Sequence, residues 1–185
     1  MGREASNIYR VKITLQDIRP PIWRRLELDG STSLHKLHQI IQAAFGWSDS
    51  HLHQFVVNGE GYGESVPEAD FKLRSGRRCK LAQAAPAVGD TFIYEYDFGD
   101  SWLHEIKVEA TLKSEAGVSY PRCTDGQSSG PPEDVGGPWG YEGFLEALAD
   151  PEHDEHEAYL EWVGGLFDPE ACDLDAINAA LKHLT

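Results

Sequence analysis

The chain has no apolar run near the roughly 20 residues that a bilayer-spanning helix needs. Its opening residues, MGREASNIYR, carry no apolar signal core. Both absences lead to the expectation of a cytoplasmic protein with no membrane partner. Cysteine is scarce: Cys79, Cys123 and Cys172 form no CxxC pair and no zinc-knuckle spacing. An odd number of isolated thiols points to reduced cysteines in a reducing compartment.

Positive charge is also short. The 16 Lys and Arg stand against 31 Asp and Glu, a net charge of −15, which opposes a protein whose main task is to grip a phosphate backbone. The deficit is uneven: residues 1–80 hold twelve basic against nine acidic residues, residues 81–185 four against twenty-two. Two local patches, Arg19 with Arg24 and Arg25, and the run from Lys72 to Lys80, keep a nucleic-acid-associated accessory role as a minority reading. Catalytic signatures are missing too: no HExxH, HxHxD, GxSxG, P-loop or dinucleotide fingerprint occurs.

What is present reads as one domain spanning residues 1–185. Tyr9, Val11, Ile13 and Leu15 alternate with polar residues as a strand does. After Pro20 and Pro21, a second strand runs from Ile22 to Leu28, with Trp23 on the face opposite Ile22 and Leu26, covering a helix or lining a cleft. Ser31-Thr-Ser33 offers an N-cap to a helix with Leu34, Leu37, Ile41, Ala44 and Phe45 on one side, which Gly46 stops. His35 and His38 share a side of it and read as surface residues, since no third ligand follows nearby. A third strand places His51, His53, Phe55 and Val57 on one face; residues 58–90 read as a Gly-, Pro- and charge-rich excursion.

The stretch YEYDFGDSWLHEI reads as a hairpin. A three-residue loop of Gly99, Asp100 and Ser101 pairs Phe98 with Trp102, Tyr96 with His104 and Tyr94 with Ile106, placing every aromatic on one face. Asp97 then falls on the outer face and Asp100 at the tip. Residues 121–141 read as a Gly- and Pro-rich loop without regular structure. Three apolar stripes follow, based on Tyr141, on Tyr159 and on Leu174, the last capped by Asp173. The expected fold class is α+β: a mainly antiparallel sheet of about five strands, in β-β-α-β-β-β order, with a C-terminal cluster of three helices packed on it.

Taken in order, PPIWRRLEL, AAFGW, HLHQF, YEYDFGDSWLHEI, PPEDVGGPWGY and FDPEACDLDAINAAL resemble the plasmid pRiA ORF-three-like family, also known as TnpR-type passenger proteins of insertion elements. The resemblance runs from about Tyr9 to Leu184 and implies an α+β protein of a mobile-element-associated family with no established catalytic residues. The TnpR label suggests a resolvase, but the chain has no recognition helix and an acidic C-terminal half, so the label reads as genetic context. The family's loop carries a cysteine on either side of PPED; Gly130 and Val135 stand there here, so a zinc site of that kind would be dismantled.

The residues expected to receive a ligand are His53, Tyr96, Trp102, His104, Asp125, Glu133 and Asp134. Each has a structural explanation as well: a buried His104 bonded to Tyr96 or backbone, Asp97 and Asp100 serving the turn, Glu133 and Asp134 tying loop to sheet. The favoured function is therefore a non-enzymatic binding or accessory module, with Trp23, Trp102 and Trp139 near a concave sheet face that receives a protein, peptide or small ligand. The alternative is a metal-assisted hydrolase using His53, His104 and the loop carboxylates. No cofactor or metal is expected under the first reading; zinc or another divalent ion belongs to the second.

Overall fold

Alternation builds the middle of the sheet. In β1 (Asn7–Leu15), Tyr9, Val11, Ile13 and Leu15 are buried while Arg10, Lys12 and Thr14 reach outward, and β2 (Trp23–Asp29) buries Leu26 and Leu28 on the same side. The computed structural model describes residues 7–64 and 72–185; the N-terminal six residues and positions 65–71 of the expected excursion lie outside the described residues.

The remaining elements are α1 (Leu34–Phe45), β3 (His53–Val57), β4 (Glu60–Gly63), β5 (Arg74–Ser75), α2 (Leu81–Ala84), β6 (Thr91–Tyr96), β7 (Trp102–Lys113), β8 (Arg122–Gln127), α3 (Gly137–Ala149), α4 (His156–Trp162) and α5 (Leu174–Lys182). Among the described residues the strands form one mixed sheet of eight in the order β5-β4-β3-β6-β7-β1-β2-β8, antiparallel except for the β4–β5 pair. Helix α1 begins at Ser33, whose side chain accepts from Lys36 N, and stops at Gly46 in the left-handed region (φ 79°). Its buried face, Leu34, Leu37, Ile41 and Phe45, joins the sheet's apolar side in one core.

The expected fold class is overturned. The five strands read from periodicity are the contiguous centre, β3-β6-β7-β1-β2, but β4, β5 and β8 extend both edges. Edge strands are held by backbone pairing and need no apolar alternation, so a Gly-rich or polar stretch that pairs gives no periodic signal. In β4 Gly63 is required, since a Cβ there would lie 2.8 Å from the backbone His53 O, whereas one on Gly61 would meet Leu73 Cδ2 at 2.7 Å, a side-chain end that can shift. Strand β8 pairs with β2 inside the segment expected to be irregular.

Nor do the last three helices form one cluster. Phe144 of α3 meets Tyr159 and Trp162 of α4 edge-on, whereas α5 packs on α1 and β8, its Asn178 bonding both N and O of Cys123. Among the described residues no helix is long and apolar enough to cross a membrane.

The hairpin register also differs. Tyr96 pairs with Trp102, Tyr94 with His104 and Phe92 with Ile106, so the turn is residues 97–101 and not 99–101. Asp97 and Ser101 both take left-handed backbone (φ 58° and 54°), and the Asp97 carboxylate accepts from Gly99 N and Asp100 N. The slip is two residues, which preserves parity, so Tyr94, Tyr96, Trp102 and His104 still share the buried face. Asp97 itself is drawn in and 9% exposed, not on the outer face. Trp23 covers no helix: it is half-exposed, donates to Gln127 Oε1 and lies beside Lys12 Nζ and the Arg25 guanidinium.

Candidate functional site

Three segments meet where α1 ends. The link from Trp47 to Leu52 supplies Ser48, Asp49 and His51; the end of β6 and its turn supply Tyr96 and Asp97; the PPED loop supplies Glu133 and Asp134. Trp47 clamps the arrangement by stacking on Tyr96 at 4.9 Å and donating to Pro131 O at 2.8 Å. Glu133 Oε1 accepts from Ser48 N (2.9 Å) and from Tyr96 OH (3.0 Å), and Tyr96 OH accepts from Ser50 N (3.0 Å). Burial first, then the Glu133 bond, raises the Tyr96 pKa, which keeps the phenol a donor. Across the turn, Gly136 N donates to Asp100 Oδ2.

Gly130 lets this loop sit down, because a Cβ there would collide with Phe45 O. A cysteine pair flanking PPED is thus absent in sequence and sterically opposed at one of its two positions. Gly130→Ala is expected to cost ~1–3 kcal/mol, the usual range for overpacking. Urea unfolding measures it, and an unchanged midpoint would show that the loop yields freely.

The geometry centres on His51 Nε2. It lies 2.8 Å from Asp134 Oδ1, 3.6 Å from Asp97 Oδ2 and 3.7 Å from Glu133 Oε2. The nitrogen is itself buried and has no hydrogen-bond partner, although Asp134 Oδ1 lies 2.8 Å away. Ligand atoms of His51, Asp97 and Asp134 all lie within 4.8 Å of one another. Asp134, like Asp97, is held at left-handed φ (60°), a conformation that tends to persist where function or surrounding contacts require it.

A second constellation lies beside it. The His38 and His53 rings stack at 3.5 Å, nearly parallel; His38 Nδ1 meets Tyr94 OH at 2.8 Å and Nε2 meets Asp49 Oδ1 at 2.7 Å. Gln42 Nε2 donates to the same Tyr94 oxygen, and Asp49 N donates to Gln42 Oε1. Donor capacity then has Tyr94 donating to Nδ1 and His38 donating from Nε2 to Asp49. Burial depresses both histidines, His53 to about 3 with His38 adding to the effect, so the stack is a pair of neutral rings. His38 is 2% exposed, which corrects its reading as a surface residue. Parallel rings cannot both aim in-plane lone pairs at one ion, so this cluster is not arranged for a metal as it stands.

Of the seven residues expected to bind a ligand, Tyr96, Glu133 and Asp134 come together, and His53 lines an adjoining pocket with His51. Trp102 and His104 are in the core at 1% and 0% exposure; His104 packs against Phe45, Trp47 and Tyr94, bonding Trp102 O and not Tyr96. Asp125 is on β8, paired with Arg25. The tryptophans do not share a face: Trp102 is buried and Trp139 is 85% exposed. Sequence reasoning assigned Asp97 to the turn and passed over His51; the HLH and YDFGD motifs held both, but only the fold brings them to PPED. Of the basic patches, Arg24 is buried, Arg25 pairs with Glu109 and Asp125, Arg74 with Glu60 and Arg77 with Glu64.

The family model described as "Plasmid pRiA4b ORF-3-like protein" matches residues 7–176. The chain is 39% identical over 181 residues to the "Uncharacterized protein y4hQ" of Sinorhizobium fredii, covering 97% of this chain and 93% of that protein. It is also similar to the crystal structure of MM3350, a protein of unknown function from Methanosarcina mazei Go1: TM-score 0.84 and 37% identity, over 92% of this chain and 97% of the other.

Proposed function

We propose, for a chain that belongs to the plasmid pRiA4b ORF-3-like family, a divalent-cation-dependent binding module whose ion is held by His51, Asp97 and Asp134 with Glu133 alongside. The observation that supports it is the buried His51 nitrogen, facing three carboxylates and hydrogen-bonded to none. Three anions around one point repel one another unless a positive charge sits among them. A nitrogen with carboxylate oxygens suits a first-row divalent ion such as zinc or manganese. The competing arrangement is an imidazolium doing the same work without metal.

Titrating chelator-treated protein with Zn²⁺ and Mn²⁺ by calorimetry separates the two. One equivalent is expected to bind, with His51→Ala weakening it ~10–100-fold, or about 1.4–2.7 kcal/mol; His183→Ala is the neutral control. Absence of saturable binding by either ion would leave the imidazolium in place.

Hydrolysis is the second reading, favoured by one observation: the Asp134 carboxylate is 67% exposed, so the ion's outward side can take a water. Its residues are then His51, Asp97 and Asp134, not His104 or Asp125. Turnover of bis(p-nitrophenyl) phosphate by zinc- or manganese-loaded protein, lost in Asp134→Asn, would carry it; an inactive loaded protein leaves the binding module.

A further inference from the structure

Arg24 is a cation on the wrong side of β2. It shares the inward face with Leu26 and Leu28 and is 3% exposed. Its neighbours are neutral: Nε donates to Ala44 O at 2.9 Å, Nη1 to Trp23 O and Gln127 O at 2.8 and 3.0 Å, and the guanidinium lies 5.1 Å from the Phe45 ring centre. Arg10, Arg25, Arg74, Arg77 and Arg122 each meet a carboxylate; Arg24 meets none among the described residues. The Nη2 group makes no hydrogen bond there either. A buried charge is normally paired, because taking an ion out of water is costly. The thiols of Cys172 and Cys123 are the ionisable groups that act on it most, neither a carboxylate, and burial pushes the Cys123 thiol up to about 11, so that one stays neutral.

Arg24 opens onto a cavity of about 820 Å³ between the end of α1, residues 129–134 and the α4–α5 region. Its walls include Phe45, Trp162, Phe167 and Ile177, and its rim carries Glu133 and Asp134. The walls favour an apolar body, the unpaired guanidinium edge favours a carboxylate, and the rim carboxylates oppose a second negative charge.

We infer that this cavity binds a small monocarboxylate with an apolar tail, its carboxylate on Arg24 Nη2 and its tail along Phe45, Trp162 and Phe167. The site needs no metal, so it stands or falls separately from the cation at His51.

Octanoate and 1-octanol, titrated by calorimetry into chelator-treated protein, are the probes. Octanoate is expected to bind one-to-one and at least tenfold more tightly than octanol. Arg24→Met removes that difference, and Ala176→Phe, which fills the cavity with Arg24 intact, abolishes octanoate binding. Far-ultraviolet dichroism checks that each variant folds, and Ala176→Phe decides alone if Arg24→Met does not. Unsaturable octanoate binding, equal binding of octanol, octanoate binding undiminished in a folded Arg24→Met, or octanoate binding surviving Ala176→Phe would each overturn the inference.

Discussion

Replacing His104 with phenylalanine is expected to remove about 3 kcal/mol of the acid destabilisation that the wild type suffers at pH 4. His104 is fully buried against Phe45, Trp47 and Tyr94, and its Nε2 has no hydrogen-bond partner. Burial pushes its pKa down to about 3, while Nδ1 donates to Trp102 O. In the unfolded chain the ring titrates near 6.5. Between those values the unfolded state holds a proton that the folded state refuses, so stability falls as pH drops below 6.5 and the loss is complete near 3. The slope is ~1.4 kcal/mol per pH unit for one such histidine.

Phenylalanine keeps the ring and abolishes that proton. His53, also near 3, and the depressed His38 titrate in the same window, so the variant's acid limb becomes shallower without disappearing. Urea unfolding of both proteins at pH 7, 6, 5 and 4 gives the two profiles. Parallel profiles would mean that His104 is not held neutral in the fold.

Removing the Glu27 carboxylate acts at neutral pH. Glu27 is 1% exposed and sits between two arginines: Arg10 donates at 2.8 Å and 3.1 Å, Arg122 from Nε at 2.7 Å with Nη2 at 2.6 Å. Burial pushes its pKa up, but the bonds to Arg10 and Arg122 outweigh that and hold it below the ordinary carboxylate range. Its contribution is therefore present above the unfolded pKa near 4.3 and is lost as pH falls through the lower folded value.

The triad links β1, β2 and β8, and β8 leads directly into the PPED loop. Breaking a buried pair costs ~3–5 kcal/mol. Both arginines are more than a third exposed on their side chains or close to it (38% and 35%) and can turn to water, which places Glu27→Ala at the low end, about 3 kcal/mol. A loss under about 1 kcal/mol in urea unfolding at pH 7 would class the triad with ordinary surface ion pairs.

Several features needed no tertiary information. Ser33, Gly46 and Asp173 cap or stop their helices as their chemistry dictates, since a cap bonds backbone within four residues of itself. Strand parity at Tyr94, Tyr96, Trp102 and His104 survived a wrong turn length because a two-residue slip leaves each side chain on its face. The candidate site was legible only in parts. Tyr96, Glu133 and Asp134 stood out as polar groups in aromatic or Pro-Gly settings, whereas Asp97 resembled a turn carboxylate and is one, bonding Gly99 N and approaching His51 together. His38 looked exposed because helix spacing says nothing about a hydrogen-bond partner that arrives from Asp49 and a stacking partner that arrives from β3.

The sequence by itself determined the central strands, the ends of α1, the start of α5 and the sign of the charge, all properties fixed by residues near one another along the chain. Only the tertiary structure decided the edges of the sheet, the separation of α5 from the α3–α4 pair, and the meeting of His51 with Asp97, Glu133 and Asp134. Those depend on backbone pairing and on contacts spanning some 80 residues, through Trp47 to Pro131 and Ser48 to Glu133, which leave no local pattern to read.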